Sequence, residues 1–345
     1  MASAELPPLS ATGFQTWVKS HILTKPQPPP PTTDLSGQTC IITGSNTGLG
    51  FEASRLFLQL HLSHLIMAVR SLEKGEAAAE KLRKESPGAK IEVWKLDMLS
   101  YDSIQDFASR ASKLDRLDIA ILNAGISNTT FNINPSTRHE ETVQVNYLST
   151  ALLAMLLLPI LKGKSASGVP GRLTLVGSSF GLYSKFENRD ADPLIPSFDI
   201  ETKWTLDTGL ERYSVSKTLL LMLLDKLSQL VDPEYVVINA LEPGWVNSTD
   251  VQRNSPIVAK AMMGIIALPF SRSARHGSYM YADAAVVQGR QSHGAFRMNW
   301  ETYPFHPMMY EAAGKKTAQR LWEETLSEFK FADVPGKLQA VARKS

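Results

Sequence analysis

From Thr39 onward the chain alternates short apolar runs with longer amphipathic stretches. The run "TCIITG" ends in glycine, and the "LGFEASRLFLQL" that follows has its apolar positions at helical spacing. "HLIMAVR" is a second apolar run, followed by the charged helical stretch "LEKGEAAAEKLRKE". "IEVWKLD" and "LDIAILNAG" read as strands separated by the helical "YDSIQDFASRASKL", and "RLTLVGSS" and "YVVINALEPG" come later. Strands that are apolar almost throughout and alternate with helices predict βαβ units and a parallel sheet covered on both faces. The pattern places six strands, near 39–43, 64–69, 91–96, 118–122, 172–177 and 235–241, with a seventh in the C-terminal part. The expected class is therefore α/β: a single doubly wound parallel sheet of about seven strands with helices on both faces.

Residues 1–36 do not share this rhythm. "GFQTWVKSHIL" forms a short amphipathic helix with Phe14, Trp17, Val18 and Ile22 on or near one face, and "KPQPPPPTTD" is an extended connector. The stretch is expected to be an arm packed on a main domain spanning 37–345; peripheral contact of residues 13–23 with a membrane is the alternative. The longest apolar runs, "ALLAMLLLPIL" (151–161) and "IVAKAMMGIIAL" (257–268), are shorter than the roughly 18–20 residues of a membrane span, so no transmembrane span is expected. They read as buried or interface helices, and the first leaves a homo-oligomer open. Within 345 residues the net charge is only +2, which gives no surface for nucleic acid. The sole cysteine, Cys40, excludes a disulfide within the chain and fits a reducing, cytoplasmic setting. Seven scattered histidines without ligand spacing predict no metal site.

The first strand runs directly into "TGSNTGLG" and then into a helix. Glycines at 44, 48 and 50 permit a tight turn, and the helix start directs free N–H groups toward an anion. This segment (Gly44, Ser45, Asn46, Gly48, Leu49 and Gly50) reads as the phosphate cradle of a nucleotide cofactor. The second strand ends at Arg70, where a carboxylate would favour NAD; an arginine there suits the 2′-phosphate of NADP(H). In "ERYSVSK", Tyr213 and Lys217 lie one helical turn apart on one face. A lysine so placed favours the phenolate and lowers the tyrosine pKa, as proton transfer to or from a small-molecule alcohol or carbonyl substrate requires.

The glycine spacing Gly-x-x-x-Gly-x-Gly resembles the cofactor motif of the short-chain dehydrogenase/reductase family. Its other signatures follow in order: "LD" at 96–97, "NAG" at 123–125, "VNYLS" at 145–149, "VGSSFG" at 176–181, "YSVSK" at 213–217 and "PGWVNST" at 243–249. The tail "QRLWEETL" at 319–326 and the Pro-rich entry before Asp34 resemble longer, retinol-dehydrogenase-like and filamentous-fungal members. The resemblance implies a Rossmann-type NADP(H) oxidoreductase with catalytic Asn146, Ser178, Tyr213 and Lys217. It also implies that Asp97 meets the adenine, Asn123 the adenine ribose, Lys217 the nicotinamide ribose, and Val246 with Ser248 (or Thr249) the nicotinamide. Ser178 is preferred to Ser179 because it stands three residues before Gly181. Asn146 would anchor a water linking Lys217 to solvent.

The 35-residue interval between Ser178 and Tyr213 is far longer than in short members. Residues 182–212 therefore read as a substrate-side flap, with a surface embellishment as the alternative. A C-terminal substrate-side region begins at about 250, where Met262 and Met263 suggest a lid over a lipophilic substrate. The fungal resemblance points to secondary metabolism. A catalytically idle NADP-binding interaction protein, or an epimerase or dehydratase, are the rival readings.

Overall fold

Strand β1, Thr39–Thr43, is buried at every position because it lies between two layers of helix. Successive side chains of a strand face opposite ways. Ile41 joins one core with Phe107, Leu153 and Leu219. Cys40 and Ile42 join a second with Phe57, Leu82 and Met280. The computed structural model describes residues 1–201, 203–246 and 272–343. The remaining strands are β2 (His64–Val69), β3 (Lys90–Lys95), β4 (Ile119–Leu122), β5 (Gly171–Val176), β6 (Val236–Leu241), β7 (Phe296–Met298) and β8 (Glu301–Tyr303). The helices used below are α1 (Gly13–Val18), α2 (Gly48–Gln59), α3 (Leu72–Glu85), α4 (Tyr101–Ala111), α5 (Glu141–Lys164), α6 (Leu206–Leu230), α7 (Ala274–Ala282), α8 (Ala312–Glu328) and α9 (Val334–Gln339).

The strands form one sheet in the order β3-β2-β1-β4-β5-β6-β7-β8. All neighbours run parallel except β8, which returns antiparallel to β7. The expected seventh strand is present, and an eighth joins it through Asn299 and Trp300, both at positive φ. A two-residue hairpin of this kind usually carries glycine, and each of its strands here is only three residues long, so the sequence pattern gave no sign of it. The strand order reverses between β1 and β4. Connections leave that point in opposite directions and open a crevice at the carboxyl ends of the strands.

Helix α5 is long and apolar enough to cross a membrane, yet 89% of its most apolar window is buried in the fold. Its residues Ala151 to Leu158 are packed inside, so "ALLAMLLLPIL" is a core helix. The run 257–268 lies outside the described residues.

The interval before Tyr213 is not a free loop. Residues 206–212 are already the first turns of α6, which Thr205 caps by accepting from Thr208 N at 3.2 Å. Upstream of that cap, Phe186, Leu194, Ile195 and Phe198 enter the main core. Leu194 and Ile195 donate their backbone N–H groups to the two carboxylate oxygens of Glu324 on α8, both at 2.7 Å. Arg320 on the same helix donates to the Arg189 carbonyl at 2.9 Å.

A buried ion cluster fixes the centre of this segment. His139 holds Asp199 through Nδ1 (2.9 Å) and Glu328 through Nε2 (3.2 Å). Burial opposes its charge, but the two carboxylates win and raise its pKa to about 9. The protonated imidazole thus stabilises the fold fully below its ordinary value near 6.5, and that contribution fades as pH rises through about 9. His139→Gln should therefore lower the melting temperature by several degrees at pH 6. The gap to wild type should narrow at pH 9.5, as read by thermal unfolding across that range.

Candidate active site

Every described candidate residue except those on helices lies just beyond the carboxyl end of a strand: Gly44 after β1, Arg70 after β2, Asp97 after β3, Asn123 after β4, Ser178 after β5 and Val246 after β6. Gly44 and Gly48 have φ of +65° and +58°, which L side chains adopt only with strain. Gly50 is required for a different reason. A Cβ there would lie 2.6 Å from both the Gly44 carbonyl oxygen and Asn123 Nδ2. The helix that follows is uncapped: the side chain of Thr47 makes no capping bond, so the first N–H groups of α2 are free for an anion. Ser45 is wholly buried in the cradle, and its Oγ has no hydrogen-bond partner. A phosphate-bearing dinucleotide fits this donor set. Asn46 and Leu49 are half-buried in the same turn, and Leu49 Cδ2 would touch a Cβ on Gly277 of α7 at 2.6 Å.

Asn123 braces the cradle from below. Its Nδ2 donates to the Thr43 carbonyl (2.7 Å), and its Oδ1 accepts from the Tyr281 hydroxyl (2.6 Å). Its side chain is thus engaged within the protein at both ends. Tyr281 gave no sequence signal because it reaches Asn123 from a helix 158 residues away. Asp97 is half-buried and accepts from Leu99 N at 3.1 Å. Arg70 is exposed, and its carbonyl accepts from Lys95 Nζ at 2.6 Å, so two cationic side chains stand at this end of the crevice. Val246 is buried and paired with Arg272. Ser248, Thr249 and the methionines at 262 and 263 lie outside the described residues.

At the other end of the crevice, Tyr213 and Lys217 stand one turn apart on α6, and Ser178 lies close enough to the tyrosine hydroxyl to lower its pKa. Lys217 Nζ sits 5.6 Å from the tyrosine ring centroid and donates to the Val176 carbonyl at 2.9 Å. Ser178 and Ser179 point to different partners. Ser178 faces Tyr213, whereas Ser179 Oγ donates to Glu242 Oε1 at 3.4 Å. Gly181 makes this possible, because a Cβ there would fall 2.9 Å from the Lys217 backbone. Phe180 packs edge-on against the Tyr213 ring, centroids 6.2 Å apart.

Asn146 is buried in a single π-helical turn, Gln144–Ser149, within α5. Its amide holds Ile126 at both N and O, each at 2.8 Å, and donates to Ser216 Oγ at 3.0 Å. Its Oδ1 and Lys217 Nζ would lie 3.1 and 3.6 Å from a Cβ on Gly125, so the bare glycine leaves an opening between them.

The expected lowering of the tyrosine pKa by the lysine is not what this geometry produces. Burial pushes Tyr213 up to about 12, against a lowering pull from Ser178 and with a smaller upward push from Glu242. Burial also pushes Lys217 down to about 8. Desolvation is the largest cause for both groups; Lys217 is buried and Tyr213 partly so. Glu242 is the residue the motif reading missed. It is buried, with Oε2 accepting from Gly244 N at 2.9 Å, and burial raises its pKa while Arg272 opposes the rise. The letters "LEPG" showed an acid, but only the folded chain brings it beside Ser179.

A family model for short chain dehydrogenases matches residues 38–188. The short chain dehydrogenase/reductase mfmJ of Annulohypoxylon moriforme is 47% identical over 343 residues, 99% of each chain. The chain belongs to the short-chain dehydrogenase/reductase family. The short chain dehydrogenase virL of Hypocrea virens is 43% identical over 311 residues, 89% of each chain, which places the protein in the family's filamentous-fungal branch. Among solved structures, the L-sorbose reductase of Gluconobacter frateurii complexed with NADPH and L-sorbose shares the fold. It has a TM-score of 0.57 at 17% identity, covering 80% of this chain and 97% of its own. The Pseudomonas aeruginosa RhlG/NADP complex is similar, with a TM-score of 0.57 at 20% identity, covering 80% and 98%. The family's members are NAD(P)-dependent oxidoreductases.

Replacing Gly50 with alanine should push Asn123 and the Gly44 carbonyl apart. Titration of protein fluorescence with NADPH should show affinity reduced by about tenfold or more, roughly 1.4 kcal/mol, with the circular dichroism spectrum unchanged.

Proposed function

We propose that this reductase interconverts an alcohol and a ketone or aldehyde with NADP(H), acting on a lipophilic small molecule, in fungal secondary-metabolite biosynthesis. The observation that carries the reading is Ser178 beside the Tyr213 hydroxyl with Lys217 on the next turn, in the same crevice as the uncapped start of α2. The bound dinucleotide supplies or receives the hydride. In reduction, Tyr213 Oη gives its proton to the carbonyl oxygen as that oxygen becomes an alkoxide, and Ser178 Oγ holds the same oxygen by a hydrogen bond. Carbonyl, hydride and proton together make the alcohol; in oxidation Tyr213 takes the proton back. The pKa of about 12 keeps the hydroxyl protonated and ready to donate. Lys217 stabilises the phenolate left behind. The opening over Gly125, bordered by Asn146 Oδ1 and Lys217 Nζ, suits a water that returns the proton from solvent. Arg70 beside Lys95, with no carboxylate at that strand end, supports a 2′-phosphate. Kinship with the fungal enzymes mfmJ and virL supports the metabolic setting.

Tyr213→Phe should reduce kcat by about a thousandfold, within the 10²–10⁴ range typical of a lost proton donor, while NADPH affinity by fluorescence titration stays near wild type. Full turnover in that variant would sink the catalytic role. For cofactor choice, kcat/KM should favour NADPH in wild type and swing toward NADH in Arg70→Asp; a wild type that prefers NADH overturns the assignment. Because burial depresses the Lys217 pKa to about 8, its proton is present below that pH and lost above it. The reductive kcat/KM should therefore decline as pH rises through about 8, and Lys217→Arg, which keeps its charge, should move that limb to higher pH.

A further inference from the structure

Two segments flank the Ser178–Tyr213 pair. One is the turn after β5, which runs from Ser178 through Phe180 to Tyr183; the other is the loop after β6, which carries Glu242, Gly244 and Trp245. The N-terminal arm spans both. On the first side, Tyr183 Oη donates to the carbonyls of Ala11 and Thr12 (3.2 and 3.3 Å) and bonds the Thr16 hydroxyl. Gly13 lies 3.8 Å, measured from its Cβ position, over the face of the same ring. On the second side, the backbone N–H of Trp245 donates to His21 Nε2 at 2.9 Å. Arg272 Nη2 donates to the Ser20 carbonyl at 2.7 Å, and Asn299 Nδ2 to Ser20 Oγ at 2.7 Å.

The bonds define the state of His21. Its Nδ1 donates to the Trp17 carbonyl (3.0 Å) while Nε2 accepts from Trp245, an arrangement open only to the neutral ring. Burial lowers its pKa in the same direction. The rings of Phe14, Trp17 and His21 stack in a column, with centroids 6.3 and 5.5 Å apart, that runs along the arm to Trp245. Phe14 is 73% exposed, Phe180 49% and Trp245 37%, so large apolar surface stands open around the mouth of a site that handles a polar reaction.

We propose that the arm from Thr12 to His21 is a wall of the substrate pocket and selects apolar, ring-bearing alcohols or carbonyl compounds. The proposal rests on the oxidoreductase reading above. Stacking of substrate rings against the aromatic column supplies the preference, and the His21–Trp245 bond holds the wall in register with the catalytic turn. His21 and Trp17 act here as positioning and specificity residues; neither touches the reacting atoms.

The test compares wild type, Trp17→Ala and His21→Ala on a panel of ketones from small and polar to bicyclic and aromatic, following NADPH oxidation. KM for the ring-bearing ketones should rise about tenfold in both variants, the size of one lost aromatic contact. KM for the small polar ketones, kcat and NADPH affinity should stay within about twofold of wild type by the same measure. His21→Gln, whose side-chain carbonyl can still accept from Trp245, should restore much of the loss. If KM moves by one common factor across the panel, or not at all, the arm is only structural and the proposal falls. Where an alanine variant fails to fold by circular dichroism, Trp17→Phe and His21→Gln decide it in the same way, by whether the ranking of ketones shifts. If wild type turns over no ketone, the oxidoreductase reading fails; quenching of NADPH fluorescence by a bicyclic ketone in wild type but not in Trp17→Ala still upholds the wall, and equal quenching in both overturns it.

Discussion

The distance at which the turn after β5 can approach α6 governs the whole site. Gly181 lies so close to the Lys217 backbone that no larger residue fits between them. That contact brings Ser178 to the hydroxyl of Tyr213, aims Phe180 at the edge of its ring, and leaves Ser179 free to meet Glu242. A similar approach at Gly50 sets the cradle at the other end of the crevice. Both close contacts rest on the parallel sheet, whose reversal between β1 and β4 leaves room above the strand ends for a dinucleotide to lie across them.

Burial has the larger say in the electrostatics. Tyr213, Lys217 and Glu242 are each pushed toward the neutral form by burial; Ser178 opposes the shift at Tyr213 and Arg272 opposes it at Glu242 without reversing either. The site is therefore set to hold a proton on the tyrosine rather than to leave a standing phenolate. The charge that a bound dinucleotide brings would be felt strongly in such surroundings, since little solvent screens it. His139 shows the opposite balance: two carboxylates reach it at hydrogen-bonding distance, and there the partners outweigh desolvation.

What the sequence made legible was local. β1, its glycine turn and α2 follow one another within 21 residues, from Thr39 to Gln59, and Tyr213 and Lys217 are neighbours on one helix, so the sequence alone sets each group side by side, although the Tyr213–Lys217 spacing drew its meaning only from the motifs around it. The offset from Gly181 likewise pointed to Ser178, which lies near the tyrosine hydroxyl, while Ser179 meets Glu242. Contacts between distant parts of the chain left no pattern to read. Tyr281 braces Asn123, Glu242 meets Ser179, and Glu324 anchors Leu194, each across 63 to 158 residues. The interval before Tyr213 looked like a single long loop because its helical part, from Leu206, starts in a stretch where apolar positions are sparse. The β7–β8 hairpin escaped notice because Asn299 and Trp300 form its turn without a glycine.

The bond between His21 and position 245 joins residues 224 apart, and it is made to a main-chain N–H. A main-chain donor is the same whatever side chain it carries, proline excepted. The residue at 245 can therefore be exchanged over evolution, from tryptophan to something smaller or more polar, while the arm keeps its seat. Substrate range and structural integrity are to that extent inherited separately: the face presented to the ligand can drift, and the hydrogen bond that holds it there does not have to be rediscovered.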